Sequence, residues 1–120
     1  MNRHIMIGTV AGALLWLSAG EALAVDCRNP GPQIEINYCA GEAYKRADKK
    51  LNRVWRAIPK STRRGNLLKA QRIWIKYRDL ECLAEGDPYQ GGSIQSSIIS
   101  SCKTRMTKTR TKELREFLPR

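Results

Sequence analysis

The residues best suited to do chemistry in this chain lie in one short run, Trp74-Ile75-Lys76-Tyr77-Arg78-Asp79-Leu80-Glu81-Cys82. Two aromatic rings, a guanidinium and a carboxylate at this spacing can form a polar binding surface from Trp74, Tyr77, Arg78 and Asp79. The competing use is structural. On a helix Trp74, Ile75, Arg78 and Cys82 share one face, and that face must pack against the rest of the fold. Packing is the stronger reading for Trp74 and Arg78, which leaves Tyr77 and Asp79 as surface candidates. Catalysis has little to work with. The single histidine is His4, so no Ser-His or Cys-His pair and no histidine metal site can form in a chain that loses its start. Glu81 and Glu85 supply two carboxylates, but one turn of a small helix does not build the cleft a glycosidase pair needs. The expectation is a binding protein with no catalytic residue, no metal and no cofactor.

A second set of residues carries charge. Lys45, Arg46, Lys49, Lys50, Arg53, Arg56, Lys60, Arg63 and Arg64 crowd into twenty positions with Asp48 as the one acid among them. An ordinary solvated face mixes both signs, and like charges three and four apart repel. Lys49, Arg53, Arg56, Lys60, Arg63 and Arg64 are therefore the candidate binding residues. The acids Glu35, Glu42, Asp79, Glu81, Glu85 and Asp87 gather elsewhere, so a bundle with a basic and an acidic pole is expected. The formal net charge is +11, which favours attraction to anions.

The start of the chain says where this charge acts. Arg3 and His4 precede an apolar run, Ile5 to Leu17, and Ala22-Leu23-Ala24 ends it with small residues where a signal peptidase needs them. Residues 1–24 read as a cleaved Sec-type signal peptide, and residues 25–120 as one small domain, periplasmic or secreted. Cys27 follows Asp26 rather than a small residue, so no lipobox is present. Four cysteines in a small exported domain, Cys27, Cys39, Cys82 and Cys102, read as two disulfides. Of the three pairings the sequential one is preferred. It closes loops of 13 and 21 residues, each link adding roughly 3 kcal/mol.

Three helices must position these groups. Pro30-Gly31-Pro32 opens the first, whose apolar series Ala40, Ala43, Ala47, Leu51, Val54, Trp55 and Ile58 forms a stripe that Pro59 stops. Lys60 to Asn66 reads as a polar linker in which Ser61 or Thr62 caps the second helix. That helix runs to about Ala84 with Leu67, Gln71, Trp74, Ile75, Arg78 and Cys82 inward. A Gly-rich loop follows, and Ser93 caps the third helix, whose inward series is Ile94, Ile98, Cys102, Met106, Thr109 and Leu114 or Phe117. The fold class expected is all-α, a small antiparallel three-helix bundle. Folding the first helix on the second about residue 63 brings Leu51 near Ile75 and Asp48 near Arg78, an ion pair that would fix register. The same folding leaves Cys39 about 7 Å too far along the axis to reach Cys82. It does not cleanly favour Cys82–Cys102 either.

Gln33, Asn37-x-Cys39-Ala40 and Tyr44-x-x-Ala47-Asp48-x-x-Leu51-Asn52 open the domain. Ala70-Gln71-Arg72-x-Trp74-Ile75-x-Tyr77-Arg78-Asp79-x-x-Cys82 forms its centre, and Gly91-Gly92-Ser93, Cys102, Thr107, Arg110 and Leu114 complete it. Across essentially the whole mature chain this pattern resembles the LprI-type lysozyme-inhibitor N-terminal domain family. The resemblance implies an exported, helical, cysteine-linked domain, and the family name implies lysozyme or another cell-wall hydrolase as a partner. This chain departs from the lipoprotein member behind that name by lacking a lipobox, and it is unusually basic. The charge points instead to anionic lipid, a wall polymer or an acidic partner protein. Nucleic acid is not an expected partner, because export removes the chain from it and no reader motif is present.

Overall fold

The computed structural model describes residues 24–120. The leader reading falls on residues 1–24, which apart from Ala24 lie outside the described residues. The chain forms α1 (Gln33–Ala57), a one-turn α2 (Lys60–Arg63), α3 (Asn66–Gly86), a 3-10 turn (Asp87–Tyr89) and α4 (Gln95–Arg115). No described helix is long and apolar enough to cross a membrane.

Local chemistry explains the boundaries. Pro32 is extended and precedes α1, with Glu35 in the first turn. The Glu35 carboxylate accepts a hydrogen bond from the Gly31 amide at 2.7 Å, which places negative charge where the helix dipole favours it. Ile58 leaves the helix in an extended conformation, as the residue before Pro59 must. The expected polar linker is partly helical, because Lys60–Arg63 closes one turn on the Pro59 carbonyl. Ser61 and Thr62 lie inside that turn and cap nothing. Gly65, with φ 75°, makes the entry to α3 instead, a conformation glycine adopts without steric cost. Ser93 likewise caps no helix. Its carbonyl accepts from the Asn37 side chain at 2.7 Å, and Ile94 precedes α4.

The three long helices run up, down and up. Both α1 and α3 pack along α4. Gln33 reaches Ser97 at one end while Leu51 joins Leu114 towards the other, so α1 and α4 are parallel. Gln71 meets Arg110 and Cys82 bonds to Cys102, so α3 is antiparallel to α4. The apolar core is small. Leu51, Ile58 and Leu114 are buried, with Val54, Trp55, Leu67, Trp74 and Leu118 packed on them. The Cys82–Cys102 disulfide, fully buried, fills the other end. The Met106 thioether sulfur lies 3.7 Å from Cys82 Sγ. Cys27 pairs with Cys39, so the sequential pattern holds. The turn at Asp87–Tyr89 and Gly91, with φ 77°, take up the offset between Cys82 and Cys102.

The inward faces differ from the sequence pattern in detail. Ile75, Ile94 and Phe117 are exposed, and so is Thr109. Thr107 and Thr111 are buried in their place. Because α4 lies between two helices, it must bury positions on two sides, which a single stripe does not describe. Threonine fits there because its methyl packs while its hydroxyl donates to the helix. Thr111 Oγ1 donates to the Thr107 carbonyl at 2.8 Å.

Candidate functional site

The central motif is built around Arg78. Its side chain is 6% exposed and joins all three long helices. From α3 it donates to Thr107 Oγ1 of α4 at 3.4 Å and pairs with Asp48 of α1 at 3.8 Å. It also pairs with its neighbour Asp79 at 3.0 Å. Its guanidinium stacks between two rings, 5.3 Å from the Tyr44 centroid and 5.1 Å from the Trp74 centroid. Planarity and weak hydration suit arginine to such a site. Trp74 receives a second cation on its ring, Arg110 at 5.9 Å, which Gln71 and Glu113 hold in place. The Asp48–Arg78 pairing expected from the helix fold is present. Leu51 enters the core, whereas Ile75 lines a small open gap between α1 and α3, about 120 Å³, beside Leu51 and Arg78.

Asp79 is not a free surface carboxylate. Arg78 and Lys103 both engage it, so of the two surface candidates in the motif only Tyr77 stands open, at 54% exposed. Tyr77 lies beside Ile73 and Leu80 on the outer face of α3, both also exposed. Neither Tyr44 nor Thr107 was singled out as chemically important from sequence. A tyrosine four residues before Asp48 is the signal that was available, since that spacing places both on the face Arg78 reaches.

Burial raises the Tyr44 phenol above its ordinary value of 10.0, and nearby Arg78 pulls in the opposite direction. Neutral Tyr44 is thus favoured in the folded chain. Its contribution to stability is complete below pH 10 and is lost as pH rises through the raised folded value. A Tyr44→Phe variant is expected to lose one phenolate transition from above the ordinary tyrosine range in ultraviolet absorbance titration. An unchanged titration curve would refute the assignment.

The basic run divides among three surfaces. Lys49, Arg53 and Arg56 line a shallow open depression with Asn52 on the outside of α1. Lys60, Arg63 and Arg64 surround Trp55 and Leu68 at the α2 tip. There Arg63 donates to the Ile58 carbonyl at 2.9 Å and lies over the Trp55 ring, so it is partly structural. Arg46 and Lys50 turn towards α4 and face Lys108, Lys112 and Arg115 across a groove. The acids are mostly occupied by the chain itself: Glu42 with Lys45, Glu85 with Arg105, Glu113 with Arg110. The hydrogen bond from Lys45 holds the Glu42 carboxyl below its ordinary value, and the same bond raises Lys45. Among the described residues Lys49, Arg53, Arg56, Lys60 and Arg64 have no carboxylate partner within salt-bridge distance. No group of His, Cys, Asp and Glu suited to a metal ion occurs among the described residues.

The profile of a family described as lysozyme inhibitor LprI matches residues 27–114. An uncharacterized protein of Rhizobium meliloti (strain 1021) is 33% identical over 109 residues, spanning 78% of this chain and 78% of that protein. No solved structure matches the chain.

Proposed function

The chain belongs to the lysozyme inhibitor LprI family, and we propose that it is an exported, non-enzymatic binding protein that engages an anionic target in the cell envelope. The observation that carries this reading is the imbalance of surface charge. Lys49, Arg53, Arg56, Lys60 and Arg64 have no ion-pair partner among the described residues, while most acids are paired within the fold. A surface of unpaired cations on a stapled helical frame attracts anionic lipid or wall polymer strongly at low salt and less at high salt. In this reading residues 1–24 deliver the domain to the periplasm or the exterior, and residues 25–120 do the binding.

Family membership favours a second reading, direct inhibition of lysozyme or a related wall hydrolase. A glycosidase cleft carries two carboxylates. The α2 tip presents Lys60 and Arg64, both exposed, as cations that would pair with those carboxylates. Opposition comes from long-range charge when the hydrolase is itself basic.

One experiment separates the readings. The oxidised protein is co-sedimented with phosphatidylglycerol vesicles and with purified wall, and is separately titrated into lysozyme-driven wall lysis, each at low and physiological salt. The first reading predicts sedimentation that a Lys49→Glu/Arg53→Glu/Arg56→Glu variant loses by about ten-fold or more while its helical content is kept. Undiminished sedimentation of that variant would end it. Stoichiometric inhibition that survives physiological salt would establish the second reading in its place.

A further inference from the structure

The groove between α1 and α4 is a different surface from the outer face of α1. Two adjoining cavities, about 320 Å³ and about 340 Å³, share Ala43 and Lys108 and form one channel. Its floor is made of small side chains, chiefly Ala43, Ala47 and Thr111. Its rims carry Arg46 and Lys50 from α1 and Lys108, Lys112 and Arg115 from α4, with no acid among the lining residues. None of these five cations has an ion-pair partner among the described residues. Along α4 the channel runs from Ser101 to Arg115, about 21 Å at the rise of a helix.

We infer that this groove docks an acidic amphipathic helix from a partner protein. α1 and α4 run parallel, and α3 packs against α4 elsewhere, so the groove is the open place for a fourth helix. A small floor lets a helix backbone approach closely and bury a narrow apolar stripe. Cations on both rims then meet carboxylates flanking that stripe on either side. A flexible polyanion gains from the rims but has no use for the floor. A second copy of this chain does not fit. Its acids Glu42, Asp48, Asp79, Glu85 and Glu113 are paired within the fold. Its exposed unpaired acids Glu81, Asp87 and Glu116 lie apart, on α3, in the 3-10 turn and just past α4, and form no row along one helix. Its surface also repeats the positive charge. The inference goes beyond the proposed function, since it concerns another surface and another class of ligand, and it stands if vesicle or wall binding fails.

The test uses the oxidised protein and a fluorescent fourteen-residue helical peptide with an alanine and leucine stripe flanked by glutamates on both sides. Anisotropy is read at physiological salt. Saturable one-to-one binding is expected, at least about ten-fold tighter than for an analogue of the same composition broken by two D-residues. Ala43→Trp fills the floor without changing charge and is expected to weaken binding about ten-fold. Lys50→Glu/Lys112→Glu, at exposed rim positions, is expected to do the same with an unchanged melting curve. The Lys49→Glu/Arg53→Glu/Arg56→Glu variant is expected to stay within about three-fold. Equal binding of the broken analogue, indifference to both groove variants, or binding confined to dextran sulfate and anionic vesicles would overturn the inference.

Discussion

Replacing Cys82 and Cys102 together with alanine is expected to lower the unfolding free energy by about 3–4 kcal/mol. The paired replacement of Cys27 and Cys39 is expected to cost less than about half as much. Loop closure alone does not give this contrast, because the two links span similar stretches, 20 and 12 residues of separation, and closure depends only weakly on length. Position decides it. Cys82 and Cys102 are fully buried and tie α3 to α4, where the apolar core is thinnest. Cys27 is exposed and ties a lead-in segment to the first turns of α1. That segment can detach while the bundle stays folded, so its link restricts the segment in the folded and the unfolded chain alike, and much of the entropic gain cancels. Urea unfolding followed by circular dichroism measures both variants. Equal shifts of the midpoint would show that the lead-in folds as part of the same unit.

Arg78→Ala is expected to cost about 3 kcal/mol, while Arg78→Met costs about 1 kcal/mol. A buried charge that loses its partner is strongly destabilising, but here the partners left behind are not deeply buried. The side chains of Asp48 and Asp79 are 40% and 43% exposed, and Asp79 keeps Lys103. Most of the loss is therefore the empty space between the Tyr44 and Trp74 rings and the unmet Thr107 hydroxyl. Methionine refills that space without a charge to desolvate. Thermal unfolding of the two variants side by side provides the check. Equal damage from methionine and alanine would mean that the ion pairs, not the stacked bulk, hold the three helices in register. The consequence reaches function, because Arg78 ties α1 to the α3–α4 pair and so helps set the opening of the groove.

Residue patterns identified the three long helices but not the single turn at Lys60–Arg63. Proline and glycine punctuation marked the ends of α1 and α3 within a few residues, and steps of three and four marked Ala47, Leu51, Gln71, Arg78 and Cys82 as inward. The Asp48–Arg78 pair was legible because short connections force antiparallel neighbours, which makes register a matter of counting. The family pattern of Gln71, Trp74, Arg78 and Cys82 was legible for the same reason: its spacing reflects one helix face. Capping was not legible. Ser61, Thr62 and Ser93 all have the right chemistry, but a helical turn at Lys60–Arg63 and the Asn37 contact left none of them at a helix start. Ile75 has the right hydrophobicity for the core, yet α1 and α3 stand apart beside it.

The basic face shows the same division most clearly. Composition alone established a cationic chain with an even number of cysteines, and spacing alone established the helices and placed Lys49, Arg53 and Arg56 together, since spacing reports the helical period. Which cations oppose one another across a groove was not in any local pattern. Arg46 and Lys50 lie about sixty residues from Lys108, Lys112 and Arg115 in the chain. Their meeting depends on α1 and α4 running parallel at close range. That choice came from packing: a core of few large apolar groups, small alanine and threonine contacts between α1 and α4, and a disulfide holding α3 against α4. The sequence determined the charges and the faces that carry them, whereas only the tertiary structure decided which faces enclose a site.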